Sequence, residues 1–111
     1  MGAVASKAQF DRVNRYVRKG LDEGATALVG GVAEHGTGYF VRPTVFANVS
    51  NSMTIAREEI FGPVGVVIPF DTEEQAIALA NDSVYGLGAT VWTNDITRGH
   101  KVAHAVKAGA V

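Results

Sequence analysis

Capped helix patterns alternate with short apolar runs along this chain, and that order limits the possible folds more than any other feature. The first helix is predicted to begin at Ser6, which has capping-box spacing to Gln9, and to end near Gly24. Its buried stripe is predicted to be Phe10, Val13, Val17 and Leu21. Two further helices are predicted to begin at Thr72 and Asp95. Their inward-facing residues are predicted to be Ala76, Ile77, Leu79 and Ala80 in one, and Ile96, Val102 and Val106 in the other.

Four apolar stretches are predicted to be extended. They are a short strand at residues 26–29, a segment at 39–46, a buried strand at 64–70 and a last strand at 88–93. Pro43 suggests an edge position for the second or a break in its pairing, because proline has no N–H to donate to a neighbouring strand. Strands that alternate with helices indicate βαβ units. We therefore expect an α/β fold, a three-layer, largely parallel sheet flanked by helices, to which residues 39–46 can add an antiparallel edge.

The composition excludes several classes of function. A chain of 111 residues is one domain or part of one, and its net charge of -1 offers no basic patch to a nucleic acid. It contains no cysteine, so neither a disulfide nor thiolate chemistry is available within it. The residues predict no secretory signal, and they include no apolar run near the roughly 20 residues of a membrane span. We expect a cytoplasmic protein with neither a nucleic acid nor a membrane as partner.

Residues 58–64 combine two carboxylates, an aromatic ring and a Gly-Pro turn directly before an apolar run. Adjacent acids are often simply solvated, and Phe61 could be a plain core aromatic. If the loop lines a cleft, a carboxylate of Glu58 or Glu59 can accept two hydrogen bonds from a ribose diol, each contributing roughly 1.5–3 kcal/mol. Phe61 could then lie against a flat heterocycle, with Gly62 and Pro63 fixing the turn. The residues alone leave both interpretations open.

Four blocks, in order along the chain, resemble the NAD(P)-dependent aldehyde dehydrogenases. Residues 53–64 resemble the most recognisable block of that family in this region, and residues 38–46 resemble a strand that ends in Pro-Thr-Val. Residues 81–89 are similar to the family pattern N-x-(S/T)-x-Y-G-L-x-A, and residues 6–12 form the fourth block. Together the blocks cover nearly the whole chain. The resemblance is to the C-terminal part of the catalytic domain.

The resemblance implies an enzyme that oxidises a small-molecule aldehyde to a carboxylic acid with NAD or NADP. In that family a cysteine thiolate attacks the aldehyde, a hydride passes to the nicotinamide, and a glutamate activates the water that hydrolyses the thioester. Glu59 matches the glutamate that binds the nicotinamide ribose, and Phe61 matches the aromatic beside the nicotinamide. Gln9 and Arg12 match a stretch that can touch the coenzyme, although a capping box equally explains Gln9 and solvation equally explains Arg12.

Much of the family pattern is missing from these residues. The nucleophilic cysteine, the general-base glutamate, the oxyanion-hole asparagine and the Rossmann-like coenzyme domain are expected before Met1, and an oligomerisation strand is expected beyond Val111. Both ends also read as cuts in a longer sequence. We therefore expect residues 1–111 to be a partial catalytic domain, truncated, inactive alone and derived from a homo-oligomer.

Two alternatives remain open. One is a free-standing, non-catalytic truncated homologue that acts as a binding or assembly module. The other is a related semialdehyde or acylating dehydrogenase, which this stretch does not distinguish. His100 and His104 share a predicted helix face, but two histidines without a third ligand seldom hold a metal. Trp92 is predicted to be a core residue or a subunit contact.

Overall fold

The computed structural model describes residues 1–34 and 36–111, and this part of the chain contains four helices and three strands. It divides into two units, Met1–Ile68 and Pro69–Val111. In chain order the elements are α1 (Lys7–Asp22), β1 (Thr26–Val29), β2 (Thr44–Ala47), α2 (Thr54–Arg57), β3 (Val64–Val66), α3 (Glu73–Asn81) and α4 (Ile96–Ala105).

The three strands form one small mixed sheet in the first unit. β2 lies in its centre, antiparallel to β1 and parallel to β3. The predicted α/β class, a sheet flanked by helices, is confirmed; of the two strand pairings, one is parallel and one antiparallel. Of the two expectations for residues 39–46, the edge position was wrong, because β2 is the central strand. The break in pairing at Pro43 agrees with the structure, because Pro43 lies just before β2. The next residue, Thr44, has the N–H that proline lacks and donates it to the carbonyl of Pro63 at 2.8 Å.

Helix α1 begins where its cap predicts. The hydroxyl of Ser6 accepts from the N–H of Gln9 at 3.2 Å, and Gly24 follows the helix with a φ of +94°. Leu21, predicted in the buried stripe, is 42% exposed. Gly20 is buried instead, and a Cβ there would lie 2.8 Å from Cδ1 of Ile55. Helix α2 therefore packs closely against α1 at Gly20.

The core of the first unit is formed by apolar side chains from α1, β2, α2 and the loops between them. Phe46, Val13 and Val17 have no exposed surface. Asn14 is buried too, but its amide donates to the carbonyl of Ala33 at 3.1 Å and accepts from the N–H of Ala33 at 2.9 Å. Its polar atoms are thereby satisfied within the core. Among the described residues, the buried hydrophobic cluster consists of Phe10, Val13, Val17, Ala25, Ala33, Val41, Phe46, Val49, Ile55 and Ile60.

The second unit has correctly predicted helix starts but no buried core. Thr72 caps α3 and Asp95 caps α4, each through its side-chain oxygen. None of residues 69–111, all of which the structure describes, is buried. Trp92, predicted as core or a subunit contact, is 91% exposed and so is not a core residue of this chain. Of the residues predicted to face inward, Ala80 and Ile96 are exposed, while the others are half-buried.

Two predicted strands differ from the structure. The strand predicted at 64–70 is shorter, ending at Val66, and is only partly buried. Residues 88–93 form no strand. Their neighbourhood contains two backbone hydrogen bonds, from Ala89 to Ala110 and from Gly109 to Gly86. A strand needs a continuous ladder of such bonds, and residues 69–111 supply no second strand to complete one.

Candidate functional site

The acidic turn, residues 58–63, connects α2 to β3. Glu58 follows α2 with an extended backbone, and Ile60 is buried in the core with 7% of its surface exposed. Glu59 and Phe61, on either side of Ile60, are both exposed. The turn is therefore anchored by one apolar side chain, while its carboxylates and its aromatic ring remain at the surface.

Phe61 occupies a strained backbone position. Its φ is +56°, in the left-handed region, and 69% of its surface is exposed. A bulky residue seldom adopts this conformation, which costs on the order of 1–3 kcal/mol and clusters at functional sites. The interpretation of Phe61 as a plain core aromatic is wrong, because the core lies under Ile60 and the ring of Phe61 is outside it.

Gly62 allows the acidic turn to lie directly against α1. A Cβ at this position would be 2.5 Å from Cγ2 of Val13, which is itself fully buried. Neither the β-branched Val13 side chain nor the turn could move aside without disturbing the core. The Gly-Pro pair thus brings the exposed residues of the turn next to the polar side chains of α1.

Two predicted site residues on α1 bind the backbone of the acidic turn. The side-chain amide of Gln9 donates to the carbonyl of Phe61, and a guanidinium nitrogen of Arg12 donates to the carbonyl of Glu59 at 2.8 Å. The structure therefore brings together all four predicted residues, Gln9, Arg12, Glu59 and Phe61. It also gives Gln9 and Arg12 a task beyond capping and solvation, since both fix the path of the turn.

Two residues that sequence reasoning missed continue this pattern. The hydroxyl of Tyr16 donates to the carboxylate of Glu58 at 2.7 Å. Glu23, which follows α1, accepts from the hydroxyl of Thr54 at 2.7 Å and from its N–H at 2.8 Å. Positions 9, 12, 16 and 23 recur at helical spacing, so they share one face of α1. This polar stripe, next to the apolar stripe of α1, was the sequence pattern that could have indicated these two residues.

These contacts change the acid–base properties of the two missed residues. The hydrogen bond to Glu58, with some burial, raises the pKa of the Tyr16 hydroxyl. The hydrogen bond from the Thr54 hydroxyl lowers the pKa of Glu23, with further lowering from the Thr54 N–H and Lys19, although burial opposes it. The guanidinium of Arg12 lies 5.6 Å from the centre of the Tyr16 ring, a cation–π distance. The side chains of α1 thus support one another as well as the turn.

The two histidines on α4 are four residues apart on the helix. His100 and His104 are both exposed. In the described part of the chain no three His, Cys, Asp or Glu residues are grouped closely enough to hold a metal ion. No described helix has the length and apolar character that crossing a bilayer requires.

Comparison with known proteins identifies the family. Residues 1–111 match the aldehyde dehydrogenase family. This chain belongs to the aldehyde dehydrogenase family. It is 51% identical to the betaine aldehyde dehydrogenase of Brucella ovis, across 98% of this chain and 23% of that protein.

Solved aldehyde dehydrogenase structures agree with the fold. The NAD+ complex of the enzyme from Bacillus cereus is 54% identical and superimposes with a TM-score of 0.96, over 100% of this chain and 23% of that one. The Mycobacterium tuberculosis aldehyde dehydrogenase complexed with NAD+ is 52% identical with a TM-score of 0.94, over 99% of this chain and 23% of that one. The chain spans less than a quarter of the length of these relatives.

Proposed function

We propose that this chain supplies part of the nicotinamide-ribose site of an enzyme that oxidises a small aldehyde to a carboxylic acid with NAD or NADP. The observation that carries the proposal is the acidic turn, which exposes Glu59 and Phe61 together and accepts backbone strain at Phe61 to do so. A turn that only connected α2 to β3 would have no need of that strain.

The side chains of the turn fit the chemistry of the coenzyme. A carboxylate is an acceptor, so Glu59 can take hydrogen bonds from both hydroxyls of a ribose diol. Phe61 offers a flat apolar surface against which a nicotinamide ring could pack. When bound, the coenzyme accepts the hydride released from the substrate carbon. The role of this chain is to hold the ribose through Glu59 and to limit the position of the ring through Phe61.

The relatives support the choice of coenzyme and substrate class. The Bacillus cereus and Mycobacterium tuberculosis structures are named as NAD+ complexes, and the Brucella ovis relative is named for betaine aldehyde. We further propose that residues 1–111 are a C-terminal part of a catalytic domain. The cysteine nucleophile and the base glutamate would then lie in other residues, and the chain alone would be inactive.

A chimera tests this proposal without assuming the rest of the protein. Residues 1–111 replace the matching segment of the Bacillus cereus enzyme, and NADH formation is followed with a panel of small aldehydes. We expect an active chimera in which Glu59→Gln lowers kcat/KM for NAD+ by about tenfold or more, the effect of one lost charge-assisted hydrogen bond. Glu34→Gln changes an exposed acid of the same unit as a control.

Two results would contradict the proposal. A chimera that folds with bound NAD+ but oxidises no aldehyde would remove the enzymatic function of this segment. An active chimera whose Glu59→Gln and Glu34→Gln variants behave alike would remove Glu59 from the site.

A second candidate, a self-associating assembly module, is favoured by exposed apolar side chains. Leu28 and Val29 on strand β1 are 64% and 56% exposed. In the described part of the sheet, β1 is an edge, and exposed edges invite pairing between chains. We propose that the chain forms homo-oligomers and works in the cytoplasm. Sedimentation at rising concentration should show association that Leu28→Lys reduces, and a monomer at all concentrations would exclude an assembly role.

A further inference from the structure

One face of α1 contacts the segment from α2 through the acidic turn in reverse order. From the end of α1 to its beginning, Glu23 binds Thr54 and Tyr16 binds Glu58. Arg12 then binds the carbonyl of Glu59, and Gln9 binds the carbonyl of Phe61. As the residue numbers on α1 fall from 23 to 9, those of their partners rise from 54 to 61. The helix therefore acts as a rigid template along which this segment is laid out.

The Tyr16 contact differs in kind from the two that follow it. Arg12 and Gln9 bind carbonyl oxygens, which fixes where the backbone runs. Tyr16 binds a side chain, and Glu58 has an extended backbone with φ −115° and ψ 146°. Successive side chains of an extended chain point to opposite sides. A Glu58 side chain held against α1 therefore leaves the next side chain, that of Glu59, on the other side.

We propose that Tyr16 is a positioning residue that, through Glu58, sets the side on which the acidic turn presents Glu59 to the coenzyme. This inference rests on the function proposed above, in which Glu59 binds the nicotinamide ribose. Tyr16 itself touches neither coenzyme nor substrate. Its hydroxyl holds Glu58, and its ring lies under the guanidinium of Arg12, which holds the carbonyl of Glu59.

The substitution Tyr16→Phe isolates the hydroxyl. It keeps the ring, and with it the packing and the cation–π contact to Arg12. It removes the donor at 2.7 Å from Glu58. Glu58→Gln is the conservative counterpart, because its amide oxygen can still accept from Tyr16. Asp11→Asn is the matched control, since it weakens the exposed ion pair of Asp11 with Lys7 on the same helix.

The first measurement is amide hydrogen exchange on the chain itself. We expect Tyr16→Phe to speed exchange in residues 58–62 by about fivefold, the factor that corresponds to one hydrogen bond, and Asp11→Asn to leave it unchanged. Glu58→Gln should lie near the unsubstituted chain. If residues 58–62 exchanged at the same rate in Tyr16→Phe and in the unsubstituted chain, the inference would be overturned, even if the coenzyme binds at Glu59.

The second measurement uses the active chimera. We expect Tyr16→Phe to raise KM for NAD+ by about fivefold with little change in the KM for aldehyde. Glu58→Gln, which keeps an acceptor for the Tyr16 hydroxyl, should leave KM for NAD+ close to that of the unsubstituted chimera. A merely structural role would lower the unfolding midpoint without this split. Unchanged KM values in an active chimera would overturn the inference alone, whereas a folded, inactive unsubstituted chimera would overturn the proposed function and the inference with it.

Discussion

The two units of this chain differ in how far they bury their apolar side chains. Every buried hydrophobic residue among those that the structure describes lies in Met1–Ile68, and Phe46 there has no exposed surface. In Pro69–Val111, by contrast, Trp92 is 91% exposed and Val84 and Leu87 are 92% exposed. Polar contacts are present between the helices of the second unit, such as those of Glu73 with Arg98 and Lys101. Apolar content alone therefore does not decide where a core forms.

The difference also explains why the candidate site lies in the first unit. The acidic turn is anchored by Ile60 in the core and braced by α1, so strain at Phe61 can be maintained. A strained conformation persists only where the surrounding structure determines it fully. The second unit, without buried residues, offers no such support to a precise site.

The largest expected effect that separates the units is loss of a core aromatic. Phe46→Ala removes a fully buried ring and should lower the free energy of unfolding by about 3–5 kcal/mol. Trp92→Ala removes a larger but exposed ring and should change it by less than about 0.5 kcal/mol. Urea denaturation followed by circular dichroism measures both. A larger loss from Trp92→Ala would reverse the comparison.

Gly62→Ala should have the next largest effect. The added Cβ would sit 2.5 Å from Cγ2 of Val13, so the turn or α1 must shift, at a cost of about 1–3 kcal/mol. Gly65→Ala, three residues further on, meets nothing within 4 Å and serves as the control. Thermal unfolding of the two variants compares them, and equal midpoints would show that the turn does not press on α1.

Asn81→Ala tests whether polar contacts hold the second unit. The Asn81 amide donates to the carbonyl of Ala105 at 2.9 Å and accepts from the N–H of Lys107 at 2.7 Å. Losing both should cost about 1–2 kcal/mol, more than Trp92→Ala. Hydrogen exchange should rise within residues 69–111 and stay constant in the first unit. If exchange in residues 69–111 responded more to Trp92→Ala, the unit would depend on apolar contacts instead.

The smallest effect is a change in pH dependence at Glu23. The pKa of this carboxyl is lowered by its contact with Thr54, so its contribution to stability is full above the unfolded value near 4.5. That contribution is lost as the pH falls through the lower folded pKa. Glu23→Gln should therefore flatten the decline of the unfolding midpoint on the acid side. Parallel declines in both proteins would show that the Glu23 carboxylate does not stabilise α2.

Features encoded by neighbouring residues were predictable from the sequence, and features that depend on distant partners were not. The helix starts at Ser6, Thr72 and Asp95 follow from caps three residues away. The strand at 88–93 failed because its apolar pattern says nothing about whether a partner strand is present. The predicted burial of Trp92 was wrong for the same reason, because an apolar side chain becomes part of a core only where other elements cover it.

The candidate site shows the same division. Glu59 and Phe61 stand in one short block, so a family resemblance could single them out. Tyr16 and Glu23 were missed because their partners lie 42 and 31 residues away along the chain. Only the fold reveals that the polar stripe of α1 faces the acidic turn. The central position of β2 in the sheet and the burial of Gly20 were not predicted either, because both depend on which elements pack together.

The rate of hydride transfer in the chimera carrying Glu59→Gln tests the central claim most directly. Single-turnover formation of NADH, measured beside the urea midpoint, separates the chemical step from folding. If Glu59 holds the nicotinamide ribose, the rate falls by about tenfold, equivalent to ~1.4 kcal/mol of barrier, while the midpoint stays the same. An unchanged rate, or a loss of rate that stability alone explains, would contradict a coenzyme role for the acidic turn.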